Sequence, residues 1–134
     1  MHLIAQCMLK SDGDIVDFTR DHQPAVIAID APLGLPLGLC CLEESCSCKP
    51  LAQMKGRLCE RELSRLGIPC YCTTKRSIIK KMVYRRIQLK DELTKLGHEV
   101  IEVYPYASKV RLFGRLPSKT TTKDRRALQE RYMG

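Results

Sequence analysis

The clearest hydrophobic pattern runs from Ala25 to Ile29, an uninterrupted apolar stretch that ends in Asp30 and then in the loop Ala31-Pro32-Leu33-Gly34-Leu35-Pro36. Val26, Ala28 and Asp30 fall on one face of an extended chain and Ala25, Ile27 and Ile29 on the other. Both faces are apolar until Asp30, which predicts a central strand covered on each side. Pro32 has no N–H and biases Ala31 toward an extended conformation, so the ladder stops two residues after the acid. The segment Glu99-Val100-Ile101-Glu102-Val103-Tyr104-Pro105 repeats this arrangement of strand, acid and proline.

Leu3 to Met8 reads as a strand. Ser11-Asp12-Gly13-Asp14 matches a capping box that opens a short helix through Ile15, Val16 and Phe18, with Pro24 closing the unit. From Leu51, the residues Met54, Leu58, Leu63 and Leu66 recur at helical spacing until Gly67 and Pro69. Thr73 or Thr74 is placed to cap a helix from near Lys75, whose apolar stripe is Ile78, Ile79, Met82, Val83 and Ile87 and which Leu89, Leu93 and Leu96 extend to Gly97. Arg86 and Lys90 fall near the centre of that stripe. A break in the helix is favoured there over an unbroken helix that turns two cations toward a site. A polar connector, Ser118 to Lys123, leads to a last helix from about Asp124 to Tyr132. The pattern as a whole predicts an α/β fold with a mixed, mostly parallel sheet flanked by helices, in one domain over 1–134 with a Cys-rich loop at 37–50.

Composition adds a polarity to this picture. The chain has 134 residues, 44% of them apolar, enough for one core, and a net charge of +8. Residues 1–48 hold 2 basic and 7 acidic side chains, and residues 49–134 hold 21 and 8, so the second part is strongly basic and suits a nucleic-acid partner. The alternative is a solvated charged face. The N-terminus has no basic region followed by an apolar run, so a membrane location is not expected and a cytoplasmic one is. In a reducing compartment the eight cysteines are core residues, metal ligands or redox groups rather than disulfides, with Cys7 and Cys59 read as core. His2, His22 and His98 have no Ser or Cys motif around them and no glycine-rich loop follows a strand, which argues against nucleophilic and phosphate-loop chemistry.

Three constellations remain. Asp30 and Glu102 at strand ends suit a Mg²⁺ or Mn²⁺ site, because hard cations take oxygen ligands and activate water for phosphodiester hydrolysis. The plainer alternative is a turn cap and an exposed strand residue. Cys40, Cys41, Cys46 and Cys48 lie within nine residues and suit one tetrahedral zinc, against an iron–sulfur cluster or free and redox-active thiols. Cys70 and Cys72 follow further on. The basic pairs Lys75-Arg76, Lys80-Lys81 and Arg85-Arg86, with Lys90, step by five residues. Successive pairs then rotate by about 140° on a helix, which suits scattered phosphate contacts better than sequence reading.

The blocks Ile29-Asp30-Ala31-Pro32-Leu33-Gly34-Leu35-Pro36, Arg57-x-Cys59-Glu60-Arg61-Glu62-Leu63 with Gly67-Ile68, and Val100-Ile101-Glu102-Val103-Tyr104-Pro105-Tyr106-Ala107-Ser108 occur in this order. Together they resemble the signature blocks of domain of unknown function 429, over about residues 24 to 130. The resemblance implies an RNase H-like nuclease in which Asp30 and Glu102 bind the metal and Arg57, Glu60 and Glu62 support them. It also implies an earlier strand with another Asp and a later acidic helix, neither of which this sequence matches, and the Cys40 to Cys48 insertion lies outside the family pattern. The expectation is therefore a partial RNase H-like fold acting on nucleic-acid phosphodiesters or inactive as it stands, as a homo-oligomer or with a complementing chain. The alternative is a non-catalytic, zinc-braced nucleic-acid-binding or assembly module, and a thiol redox switch is the third reading.

Overall fold

The computed structural model describes residues 2–114 and consists of four helices and a two-stranded parallel sheet. In chain order these are α1 (Asp12–His22), β1 (Val26–Ile29), α2 (Leu58–Arg65), α3 (Lys80–Lys95), β2 (Glu99–Glu102) and α4 (Pro105–Phe113). This is a mixed α/β arrangement. The expected helix from Asp124 to Tyr132 lies outside the described residues.

The capping box forms as predicted: the Asp14 N–H donates to Ser11 Oγ at 3.1 Å and the Ser11 N–H to Asp14 Oδ2 at 3.0 Å. α2 and α3 end alike. Gly67 and Gly97 take positive φ just past the helix, and the next residues, Ile68 and His98, donate back to Leu63 O and Leu93 O. The left-handed turn removes any way of continuing the helix and satisfies its last carbonyls.

β1 and β2 pair with Val26 opposite Glu99 and Ile29 opposite Glu102, and the Val103 N–H extends the ladder to Ile29 O at 3.0 Å. The register places Glu102 opposite Ile29, so Asp30 follows one residue beyond it and both acids stand at the carboxyl ends of neighbouring strands, a placement that sequence distance cannot reveal. α3 packs against β2, and Val83, Leu89 and Leu93 are buried with Ile68 and Leu42.

Several expectations are corrected. β1 is not covered on both sides: Val26, Ala28, Glu99 and Ile101, which share one face, are all exposed. Leu3 to Met8 forms no strand and is exposed, so among the described residues nothing lies beyond β1 to build the sheet outward. The helix expected from Leu51 begins only at Leu58, because Gly56 adopts φ +80°, outside the helical region. The helix expected from Lys75 begins at Lys80, and it runs unbroken to Lys95 past Arg86 and Lys90. The favoured break is absent, and the charge of Lys90 acts on Glu102 instead. Cys7 and Cys59 are exposed rather than core.

Candidate functional site

The carboxyl ends of β1 and β2 open into a cavity of about 670 Å³ lined by Asp30, Arg57, Glu60, Glu62, Glu102 and Tyr104 together with apolar side chains. Parallel strands leave their ligand crevice at this end. The first turn of α2 supplies the network that organises it. Arg57, the residue before the helix, grips Glu102 with both terminal nitrogens, Nη1 to Oε2 at 2.7 Å and Nη2 to Oε1 at 2.6 Å. Its Nε donates to Glu60 Oε1 at 2.9 Å and its main-chain N–H to Glu60 Oε2 at 2.8 Å. Glu60 is 3% exposed. A buried carboxylate needs a full set of donors, and Thr73 completes it through its N–H, 2.8 Å from Oε2, and its hydroxyl, 2.5 Å from Oε1. Glu102 also accepts the Leu33 N–H at 2.9 Å, which ties the loop after β1 to the end of β2.

These contacts set the charges. Burial pushes Glu60 upward, but the donors on Thr73 and Arg57 outweigh it and hold the carboxyl below the usual glutamate range. Burial likewise opposes ionisation of Glu102, and Arg57, the Leu33 N–H and Lys90 overcome it. Arg57 is raised by the two carboxylates against its own desolvation, so it is always charged. Gly56 belongs to the same network. A Cβ there would sit 2.5 Å from Glu60 Oε2, at a φ that side chains rarely adopt. Gly56→Ala is therefore expected to destabilise the fold by about 2 kcal/mol or more, read as a fall in urea midpoint at unchanged slope.

The second site is the cysteine loop. The sulfurs of Cys40, Cys41, Cys46 and Cys48 all lie within 4.8 Å of one another, with Cys40 Sγ and Cys46 Sγ 3.5 Å apart. Tetrahedral zinc with bonds of about 2.3 Å separates its sulfurs by about 3.8 Å, so this set can hold a metal with little adjustment. Hydrogen bonding to Cys46, Cys48 and Cys41 pushes Cys40 up to about 12, whereas main-chain hydrogen bonding at Cys41 outweighs burial and pulls Cys48 down to about 6. Four thiols this close do not all ionise without a cation among them.

The loop is bolted to α3 and the turn before it. The Leu42 N–H donates to the Tyr84 hydroxyl at 2.6 Å, which donates in turn to Glu43 Oε1 at 3.0 Å. Lys75 donates to Cys46 O, Lys80 to Leu42 O at 3.3 Å, and Arg76 pairs with Glu44 at 3.0 Å. Arg85 pairs with Asp12 on α1 at 2.8 Å. Four of the six basic residues expected to meet nucleic acid thus have partners within the chain. Lys81 and Arg86 have none among the described residues.

Of the residues singled out from sequence, Asp30, Arg57, Glu60, Glu62 and Glu102 converge on the one cavity and the four loop cysteines on the other site. Among the described residues no third acid joins Asp30 and Glu102 in a metal-sized group, and both oxygens of Glu102 are held by Arg57. Thr73 and Tyr84 were not anticipated. Thr73 has the chemistry of a helix cap, and nothing local in sequence marks it or Tyr84 as a partner of a distant carboxylate or amide.

No family model, no curated protein and no solved structure matches this chain. Among the described residues no helix is long and apolar enough to cross a membrane.

Proposed function

We propose that this chain is a non-catalytic α/β module in which Cys40, Cys41, Cys46 and Cys48 hold one structural zinc ion, and that the basic side chains of α3 left unpaired meet the backbone of a nucleic acid. The observation that carries the reading is the gathering of four sulfurs within 4.8 Å on a loop pinned by Tyr84, Lys75 and Lys80. Thiolate-only ligand sets favour zinc over Mg²⁺ or Mn²⁺, which take oxygen. A site closed by four protein ligands has no open position for water, so its role is to brace. Bracing is useful here because the loop has few main-chain hydrogen bonds of its own, among them Cys46 N–H to Glu43 O at 3.2 Å.

The second reading is metal-dependent hydrolysis of nucleic acid by Asp30 and Glu102, and its support is that both line the cavity at the ends of the paired strands. It requires Arg57 to release Glu102, since a bidentate guanidinium occupies the oxygens a metal would use.

Mass spectrometry of the native protein is expected to show one zinc per chain, lost in Cys46→Ser. Affinity for single-stranded DNA is expected to fall with salt at a log–log slope of about −1.4, from two phosphate contacts, one each for Lys81 and Arg86. Absence of zinc from protein purified without chelator would sink the brace. Cleavage in Mn²⁺ that disappears in Asp30→Asn would replace the module by the nuclease.

A further inference from the structure

The cavity at the strand ends is built for a charge opposite to that of nucleic acid. Four acids line it and one base does. Three of the acids are committed: Glu60 to Arg57 and Thr73, Glu102 to Arg57 and Leu33, and Glu62 to Arg65 at 2.6 Å. Arg57 in turn has all three of its side-chain nitrogens on carboxylates. An anionic ligand would find no free cation in the wall. Asp30 is different, because among the described residues it has neither a hydrogen-bond nor an ion-pair partner, yet it lines the cavity. Around it the wall is apolar and aromatic, formed by Leu63, Leu66, Ile79 and Met82 with the rings of Tyr71 and Tyr104.

We propose that this cavity binds a small organic cation, an amine carried on an apolar body, with Asp30 as the counter-ion. The volume of about 670 Å³ lies within the range of small-molecule sites. A carboxylate at the rim of an apolar pocket selects charge at one end of the ligand while the walls take the rest. The tyrosine rings add the attraction of an aromatic face for an ammonium group. Tyr104 is fixed for this role, since its hydroxyl donates to Pro69 O at 2.7 Å. The site is independent of the zinc loop.

The test is calorimetric titration of the full chain with three probes of one shape: phenethylamine, phenethyl alcohol and phenylpropionate. The amine is expected to bind about 10-fold more tightly than the other two, the value of one charge-assisted hydrogen bond. Asp30→Asn is expected to bring it down to the alcohol, with circular dichroism and zinc content unchanged. Met82→Lys, which places an ammonium on the wall, is expected to abolish amine binding with Asp30 intact, and it decides the matter if Asp30→Asn does not fold. Equal affinities for amine and alcohol, an amine preference that survives both substitutions, no binding of any probe, or displacement of the amine by equimolar Mn²⁺ would each overturn the proposal.

Discussion

Replacing Glu60 by alanine is expected to cost the fold about 3–5 kcal/mol, one of the two largest effects of any single substitution in the chain. The carboxylate is 3% exposed and receives four donors, two from Arg57 and two from Thr73. Removing it orphans the buried Thr73 N–H and hydroxyl and leaves Arg57, itself 12% exposed, with half its partners. Each unpaired buried donor costs about 1–3 kcal/mol, so the sum is dominated by what stays behind rather than by the attraction lost. Glu60→Gln is expected to fall between wild type and alanine, because the amide keeps one acceptor but turns its NH₂ toward donors. Urea unfolding at neutral pH measures both. A loss below about 1 kcal/mol for Glu60→Ala would mean that the network does not form in solution.

The same network fixes an acid limb. Glu60 and Glu102 are both held below the ordinary glutamate value in the folded chain. A depressed folded pKa contributes stability that is present above the unfolded value, about 4.3, and is lost as pH falls through the lowered folded values. Wild-type stability should therefore decline below about pH 4.5, and Glu60→Ala should decline less steeply there while remaining weaker near neutrality.

How far these features are legible in sequence depends on the range of the interaction. The Ser11 capping box and the glycine stops at Gly67 and Gly97 are set by contacts within five residues, so the local pattern predicts them. The strands β1 and β2 follow from their β-branched runs and proline stops, but their pairing is a tertiary fact. So is the exposure of their outer face: Val26 and Ala28 are apolar enough for a central strand, yet among the described residues no element covers them. Helix starts fail for a related reason. Thr73 has the chemistry of a cap, and what draws it away is Glu60, thirteen residues earlier, whose buried charge needs the hydroxyl more. Gly56 looks like a glycine tolerated within a helix until its φ and its approach to Glu60 are known. For the basic pairs, spacing alone suggests phosphate contacts, whereas Lys75 and Lys80 donate to carbonyls of the cysteine loop and the exposed Arg76 pairs with its Glu44, because that loop offers bare carbonyls and acids within reach.

Withdrawal of zinc is the other large effect, and it should be local before it is global. Strong chelation is expected to lower the melting temperature by about 10 °C or more, since metal binding and folding share one free energy in small thiolate sites. Without a cation, four sulfurs packed within 4.8 Å repel one another whenever more than one is ionised, and the loop relaxes. Leu42, fully buried, and the Leu42 N–H held by Tyr84 leave with it, so the damage spreads to the face of α3 that carries Tyr84 and Lys80. The β1–β2 ladder shares no hydrogen bond with that loop and should keep its protection. Hydrogen exchange resolves the two: chelation is expected to accelerate the amides of 39–48 and the first turns of α3 while those of β1 and β2 hold. Alkylation gives an independent readout, because the four loop thiols should be shielded in the metal-bound protein and react after chelation, with exposed Cys7 and Cys59 reactive throughout. Equal reactivity of the loop thiols with and without chelator, at an unchanged melting temperature, would show that nothing braces the loop but Tyr84 and the lysines.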